Sequence, residues 1–115
     1  MLPWIPYSAI SRLNSIISHE YVMLEFGSGM STIWYAQRCR TLVSIEHDPD
    51  WYNAVNSLIK RYRLKNVDYR LRSEYNYEDL SDINDNRFDL VVIDGIKRPE
   101  CAHTSIIKVK HGSYI

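Results

Sequence analysis

Four short apolar runs alternate with helix-like stretches, and this alternation constrains the fold more than any other feature. The runs are residues 21–26, 41–46, 67–71 and 88–93. Runs of this length, rich in aliphatic and β-branched residues, are typical of strands. Crossover connections between parallel strands are right-handed. The alternation therefore predicts an α/β fold with a mostly parallel sheet and helices on both faces.

Helical periodicity fills most of the segments between these runs. Asp48 and Pro49 form the strongest helix start, because aspartate can cap a helix and proline fits its first position. Apolar residues from Trp51 to Tyr62 then recur at helical spacing, which predicts one face packed on the sheet. The other predicted helices are residues 6–19, residues 31–38, a short helix near 77–83, and one from about Pro99 to Val109.

The composition indicates one folded domain over residues 1–115. Hydrophobic residues make up 45% of the chain, charged residues 24%, and the formal net charge is zero. A neutral chain offers no general attraction for nucleic acid or an anionic membrane. Two cysteines without metal-ligand spacing indicate a reducing compartment and no structural metal site. With neither a signal peptide nor an apolar run of about 20 residues in view, we expect a cytoplasmic protein.

Three of the four predicted strands have an acidic residue at or next to their carboxyl end. Glu25 lies next to the end of the first strand, Glu46 ends the second, and Asp94 follows the fourth. In open parallel sheets, ligands bind beyond the carboxyl ends of the strands. We therefore expect the chemistry of this chain at that edge of the sheet.

The turn after the first strand, Gly27-Ser28-Gly29, indicates which ligand this edge would take. A dinucleotide fingerprint would need a third glycine where Thr32 stands, and Glu25 would repel a pyrophosphate by about 4 kcal/mol at ~4 Å and a dielectric of 20. S-adenosylmethionine instead carries a sulfonium and an ammonium that a carboxylate favours. Its own carboxylate can lie against the backbone N–H groups and the hydroxyls of Ser31 and Thr32. Glu46 stands nineteen residues after Gly27, near the spacing at which an acidic residue binds ribose hydroxyls.

Three motifs in order resemble the class I S-adenosylmethionine-dependent methyltransferases. They are E-F-G-S-G-M-S-T at 25–32, S-I-E-H-D at 44–48 and D-G-I-K-R-P-E-C at 94–101. The resemblance implies a Rossmann-like sheet in the strand order 3-2-1-4-5, with the C-terminal strands of the family's seven-stranded sheet missing. Ile96 departs from the pattern, since the related subgroup has arginine at that position.

The resemblance also implies a role for each motif residue. Gly27, Ser28 and Gly29 would line the methionine portion of the cofactor, with Glu25 near its ammonium. Glu46 would hold the ribose and His47 would border the adenosine. Asp94 would flank the methyl-transfer site as the catalytic residue.

Structural explanations stay open for several of these residues. Asp94 could cap the turn that follows it, Glu46 could be a solvated strand end, and His47 could be structural. Ser31 and Thr32 are natural helix caps with or without a ligand.

Alternative functions stay open as well. One is a non-catalytic cofactor-binding or interaction module, and another is half of a nicotinamide-dependent oxidoreductase, which Glu25 and Thr32 argue against. The apolar fourth strand could lie near an open sheet edge, which would favour a homodimer through that edge. The methyl acceptor is not indicated by the sequence.

Overall fold

A computed structural model describes residues 15–109 and contains four parallel strands and three α-helices in that range. Its elements, in chain order, are β1 (Val22–Phe26), α1 (Met30–Ala36), β2 (Thr41–Glu46), α2 (Pro49–Arg61), β3 (Val67–Leu71), β4 (Leu90–Ile93), α3 (Arg98–Ser105) and a 3-10 helix (Ile106–Lys108). The strands are ordered β3-β2-β1-β4, and every neighbouring pair is parallel. The predicted fold class and the order of the first four strands are therefore confirmed.

Helices cover both faces of this sheet. Trp34 and Ile33 of α1 and Val55 of α2 pack on one face. Cys101 of α3 and the loop residue Tyr77 pack on the other face, against alternate residues of the central strands. Every residue of β1 is buried, so side chains pack against both faces of the central strand. A ligand would therefore approach the sheet at the ends of its strands.

Helix α2 begins where the sequence predicts. The Asp48 carboxylate accepts hydrogen bonds from the backbone N–H groups of Asp50 (3.0 Å) and Trp51 (3.2 Å), and Pro49 occupies the first turn. The buried face of α2 is shorter than the sequence predicts, because its two ends are exposed. Val55 and Ile59 are buried, whereas Trp51 is 48% exposed and Tyr62 is 42% exposed.

The predicted helix near residues 77–83 is wrong, because this segment forms successive turns. Tyr77 and Leu80 are buried as a helical face would require, but the carbonyls of this segment bond to side chains from outside it. Arg72 donates to the Asp79 carbonyl, and Lys108 donates to the Ile83 carbonyl.

Other boundaries shift by a few residues. The fourth strand begins at Leu90, and Phe88 forms an isolated parallel bridge with Val109. The last helix ends at Ser105 and continues as the 3-10 helix. Most of the predicted first helix lies outside the described residues; within them, helical conformation ends at Ile16. Among residues 15–109, no helix has the length and apolar character needed to cross a bilayer.

Candidate functional site

The glycine turn between β1 and α1 lies against the end of β4. Gly27 has a φ of 93°, in the region that favours glycine. A Cβ at Gly27 would lie 2.5 Å from the carbonyl oxygen of Asp94, so only glycine fits this approach. On the other side, the Gly27 N–H donates to the Ile45 carbonyl at 2.9 Å. The ends of three strands therefore converge on this turn.

Glu25 lies beneath the turn and is 1% exposed. Its Oε1 accepts hydrogen bonds from the hydroxyls of Thr32 (2.6 Å) and Ser44 (2.8 Å), and its Oε2 accepts one from Ser31 (2.9 Å). Burial raises the pKa of Glu25 to about 7, although the three hydroxyl donors oppose this shift, while the nearby Asp94 adds to it. Glu25 is thus a buried carboxyl group poised to change charge near neutral pH.

Glu46 lies at the end of β2 and is 4% exposed, so its interpretation as a solvated strand end is wrong. Its Oε1 accepts from the N–H (3.0 Å) and the hydroxyl (2.7 Å) of Ser28. Its Oε2 accepts from the N–H groups of His47 and Asp48, both at 3.1 Å. These bonds fix the carboxylate directly behind the glycine turn.

A cavity of about 350 Å³ opens above the turn, within the size range of small-molecule sites. Trp51 forms one wall: its indole Nε1 donates to the Ser28 carbonyl at 2.8 Å, and its ring lies 3.7 Å from the position of a Cβ on Gly29. The residues that line the cavity are Ser28, Gly29, Met30, Ser31, Tyr35, Trp51, Val92 and Asp94. Asp94 is the one charged residue that the described part of the chain contributes to this lining.

Asp94 and His47 lie at the rim of the site. The Asp94 carboxylate pairs with Arg98 at 3.1 Å, and both side chains are about two thirds exposed (66% and 64%). The His47 ring makes an edge contact with Tyr77 at a centroid distance of 5.7 Å, and its Nδ1 is 3.5 Å from Glu46. Both side chains are accessible enough to meet a ligand.

The structure brings all nine residues singled out from the sequence to one edge of the sheet. Four of them line the cavity: Ser28, Gly29, Ser31 and Asp94. Others lie behind that lining, because Glu25, Thr32 and Glu46 are buried. The Thr32 hydroxyl donates to Glu25 and accepts from the Gly29 N–H at 3.0 Å, so it braces the turn. Direct contact of each residue with a ligand stays a prediction.

Sequence reasoning missed the other four residues that line the cavity, which are Met30, Tyr35, Trp51 and Val92. Trp51 was placed on the packed face of α2 because of its helical spacing. Its position in the first turn after the acidic end of β2 is the signal that could have identified it, since that turn must lie beside the ligand edge.

No protein-family model matches the chain, and no curated protein matches its sequence. Solved structures do match its fold. A methyltransferase-like protein from Silicibacter pomeroyi has a TM-score of 0.75 and 20% identity, over 94% of this chain and 68% of that protein. TYW2 of M. jannaschii, in complex with AdoMet, has a TM-score of 0.72 and 20% identity, over 96% of this chain and 50% of that protein.

A third match is precorrin 8W decarboxylase from Methanobacterium thermoautotrophicum, with a TM-score of 0.75 and 23% identity, over 92% of this chain and 57% of that protein. The chain thus spans between half and about two thirds of the length of these proteins. At such identities the likeness shows the fold alone, and that fold is the Rossmann-like one found in methyltransferases.

Proposed function

We propose that this chain is the cofactor-binding part of an S-adenosylmethionine-dependent methyltransferase. The observation that carries the proposal is the charge around the glycine turn. Glu25 and Glu46 are buried on either side of it, and Asp94 lines the cavity above it. No basic side chain lines this cavity among the described residues. A site of this charge favours a sulfonium and an ammonium over a pyrophosphate.

The aromatic walls of the cavity suit the same ligand. Trp51 and Tyr35 line it, and an aromatic face attracts a cation that lies over it. Gly29 leaves room for a ligand to approach the backbone next to Trp51. Glu25 holds three hydroxyl groups in place and supplies negative charge below the turn once it is ionised.

Bound S-adenosylmethionine supplies an activated methyl group, and the protein's part is chiefly to position the reactants. Asp94 is the proposed catalytic residue because its carboxylate is exposed at the cavity. There it can accept a proton from a methyl acceptor that must lose one. Arg98 pairs with the same carboxylate and holds its orientation. The acceptor itself is not assigned.

Calorimetry with S-adenosylmethionine, S-adenosylhomocysteine and NAD tests the cofactor assignment. We expect both sulfur nucleosides to bind and NAD to bind far more weakly, because NAD carries a pyrophosphate past Glu25 and Asp94. Equal or tighter binding of NAD would overturn the proposal. Binding without methyl transfer to any acceptor tried would favour the non-catalytic binding module instead.

A further inference from the structure

Four donors from the described part of the chain surround the carboxylate of Glu46. A carboxylate offers about four lone-pair positions. Ser28 fills two of them through its N–H and its hydroxyl, and the N–H groups of His47 and Asp48 fill the other two. A ligand hydroxyl can therefore bind Glu46 only if one of these four donors leaves.

The Ser28 hydroxyl is the donor that can leave. The other three donors are backbone N–H groups, and the backbone here is held by the bond from Trp51 Nε1 to the Ser28 carbonyl and the bond from the Gly27 N–H to Ile45. The hydroxyl needs only a rotation about its own side chain. Ser28 also lines the cavity, whereas Glu46 does not, so Ser28 stands between the cavity and the carboxylate.

Tyr69 offers the Ser28 hydroxyl a second partner. The Tyr69 hydroxyl lies 2.5 Å from Ser28 Oγ. The Ser28 hydroxyl donates its one hydrogen to Glu46, so in the bond between the two hydroxyls Tyr69 is the donor and Ser28 accepts. The Tyr69 ring is held by stacking on Tyr52, with centroids 4.4 Å apart and planes inclined by 22°. The three residues form a directional chain of hydrogen bonds.

We propose that Ser28 and Tyr69 form an exchangeable donor pair that controls access of a vicinal diol to Glu46. When the diol arrives, the Ser28 hydroxyl turns from Glu46 to Tyr69, and the freed position on Glu46 accepts a ligand hydroxyl. The half-buried Tyr69 then donates its own hydrogen to water. Tyr69 is thus a positioning residue, and the identification of the diol as the ribose of S-adenosylmethionine rests on the proposed function.

A double-mutant cycle on the binding of S-adenosylhomocysteine tests this pair. Tyr69→Phe removes the alternative partner and should weaken binding by about fivefold, the scale of one net hydrogen bond. Ser28→Ala removes the competitor for Glu46 and should tighten binding. In the Ser28→Ala background, Tyr69→Phe should then have no effect. Tyr52→Phe is the control, because it keeps the stacked ring pair and removes only the long bond (3.4 Å) from the Tyr52 hydroxyl to the Tyr69 carbonyl, which is not part of the chain of donors.

A ligand comparison separates this role from a merely structural one. The effect of Tyr69→Phe should disappear for an analogue of S-adenosylhomocysteine whose sugar lacks both hydroxyls. Binding that Ser28→Ala leaves unchanged or weakens, or an equal loss from Tyr69→Phe in both backgrounds, would overturn the exchange.

The same variants are run with NAD, which carries the same diol. If NAD binds and S-adenosylhomocysteine does not, the cofactor assignment fails. The double-mutant cycle, measured with NAD, then still tests whether Ser28 and Tyr69 exchange partners. If neither ligand binds the unmodified protein, both ideas fail.

Discussion

The Cα of Gly27 lies so close to Asp94 that a Cβ on Gly27 would come within 2.5 Å of the Asp94 carbonyl oxygen. This contact joins the ends of β1 and β4 and thereby sets the distance from the glycine turn to the proposed catalytic carboxylate. The backbone of Gly27 has a φ of 93°, which an L side chain adopts only at a cost of roughly 1–2 kcal/mol. Both observations indicate that the geometry of the site requires glycine at position 27.

Gly27→Ala should therefore lower the free energy of unfolding by about 2–4 kcal/mol, since backbone strain and a clash with backbone atoms add together. Gly29→Ala is the matched control. Its φ of 166° is extended, and its nearest neighbour would lie 3.7 Å away, so it should change stability by less than about 1 kcal/mol. Urea unfolding measures both. A Gly27→Ala variant as stable as Gly29→Ala would contradict this account of the turn.

Glu25 should make the protein less stable as pH rises. Burial raises its folded-state pKa to about 7 from an ordinary value of 4.5. The folded chain therefore binds more protons than the unfolded chain between these values, and the free energy of unfolding falls as pH increases through this window. At about 1.4 kcal/mol per pKa unit, the contribution is at most about 3 kcal/mol between pH 5 and pH 8.

Glu25→Gln should remove this part of the pH dependence, because an amide does not ionise and can still accept from Thr32 and Ser44. Unfolding in urea at pH 5 and pH 8 measures the difference. Glu20→Gln is the control, since Glu20 is exposed at the opposite end of β1, and it should keep the pH profile of the unmodified protein. Parallel profiles for the unmodified protein and Glu25→Gln would mean that Glu25 stays ionised throughout.

Tyr77 and Gly95 should show strong coupling in a double-mutant cycle. The Tyr77 hydroxyl is buried and finds no hydrogen-bond partner among residues 15–109, and a Cβ on Gly95 would lie 2.1 Å from it. Tyr77→Phe should be neutral or stabilise by up to about 2 kcal/mol, because it removes an unsatisfied buried group. Gly95→Ala should destabilise the protein, and adding Tyr77→Phe should recover part of that loss. Thermal unfolding measures the four variants of the cycle. If the effects of the two substitutions simply add, the Tyr77 hydroxyl can move away from a Cβ at Gly95 at no cost.

Asp94 should contribute more to the affinity for S-adenosylmethionine, which carries a sulfonium, than to the affinity for S-adenosylhomocysteine, whose sulfur is neutral. Asp94→Asn keeps the size of the side chain and removes its charge beside the cavity. The affinity for S-adenosylmethionine should fall by about threefold to tenfold more than the affinity for S-adenosylhomocysteine, since only the former carries a sulfonium. Calorimetry with both ligands measures the ratio, and Glu20→Gln should leave it unchanged. An unchanged ratio in Asp94→Asn would place the sulfur away from this carboxylate.

The sequence by itself determined the four strands, the helices that follow β1, β2 and β4, and their order. Strand β2, strand β3 and the start of α2 lie where the local patterns place them. Those patterns depend on neighbours within one helical turn or one strand, and the right-handed crossover rule converts them into a parallel sheet. The acidic ends of β1 and β2 and the Asp94-Gly95 segment could be assigned to one edge for the same reason.

Only the tertiary structure decided how the site is built. The bond between Ser28 and Tyr69 joins residues 41 positions apart, and it depends on the register between β2 and β3. The segment 77–83 forms turns whose carbonyls accept from Arg72 and Lys108, which lie outside it. Trp51 covers the glycine turn because of where α2 docks. Each of these features rests on contacts between distant segments, and no local periodicity encodes such contacts.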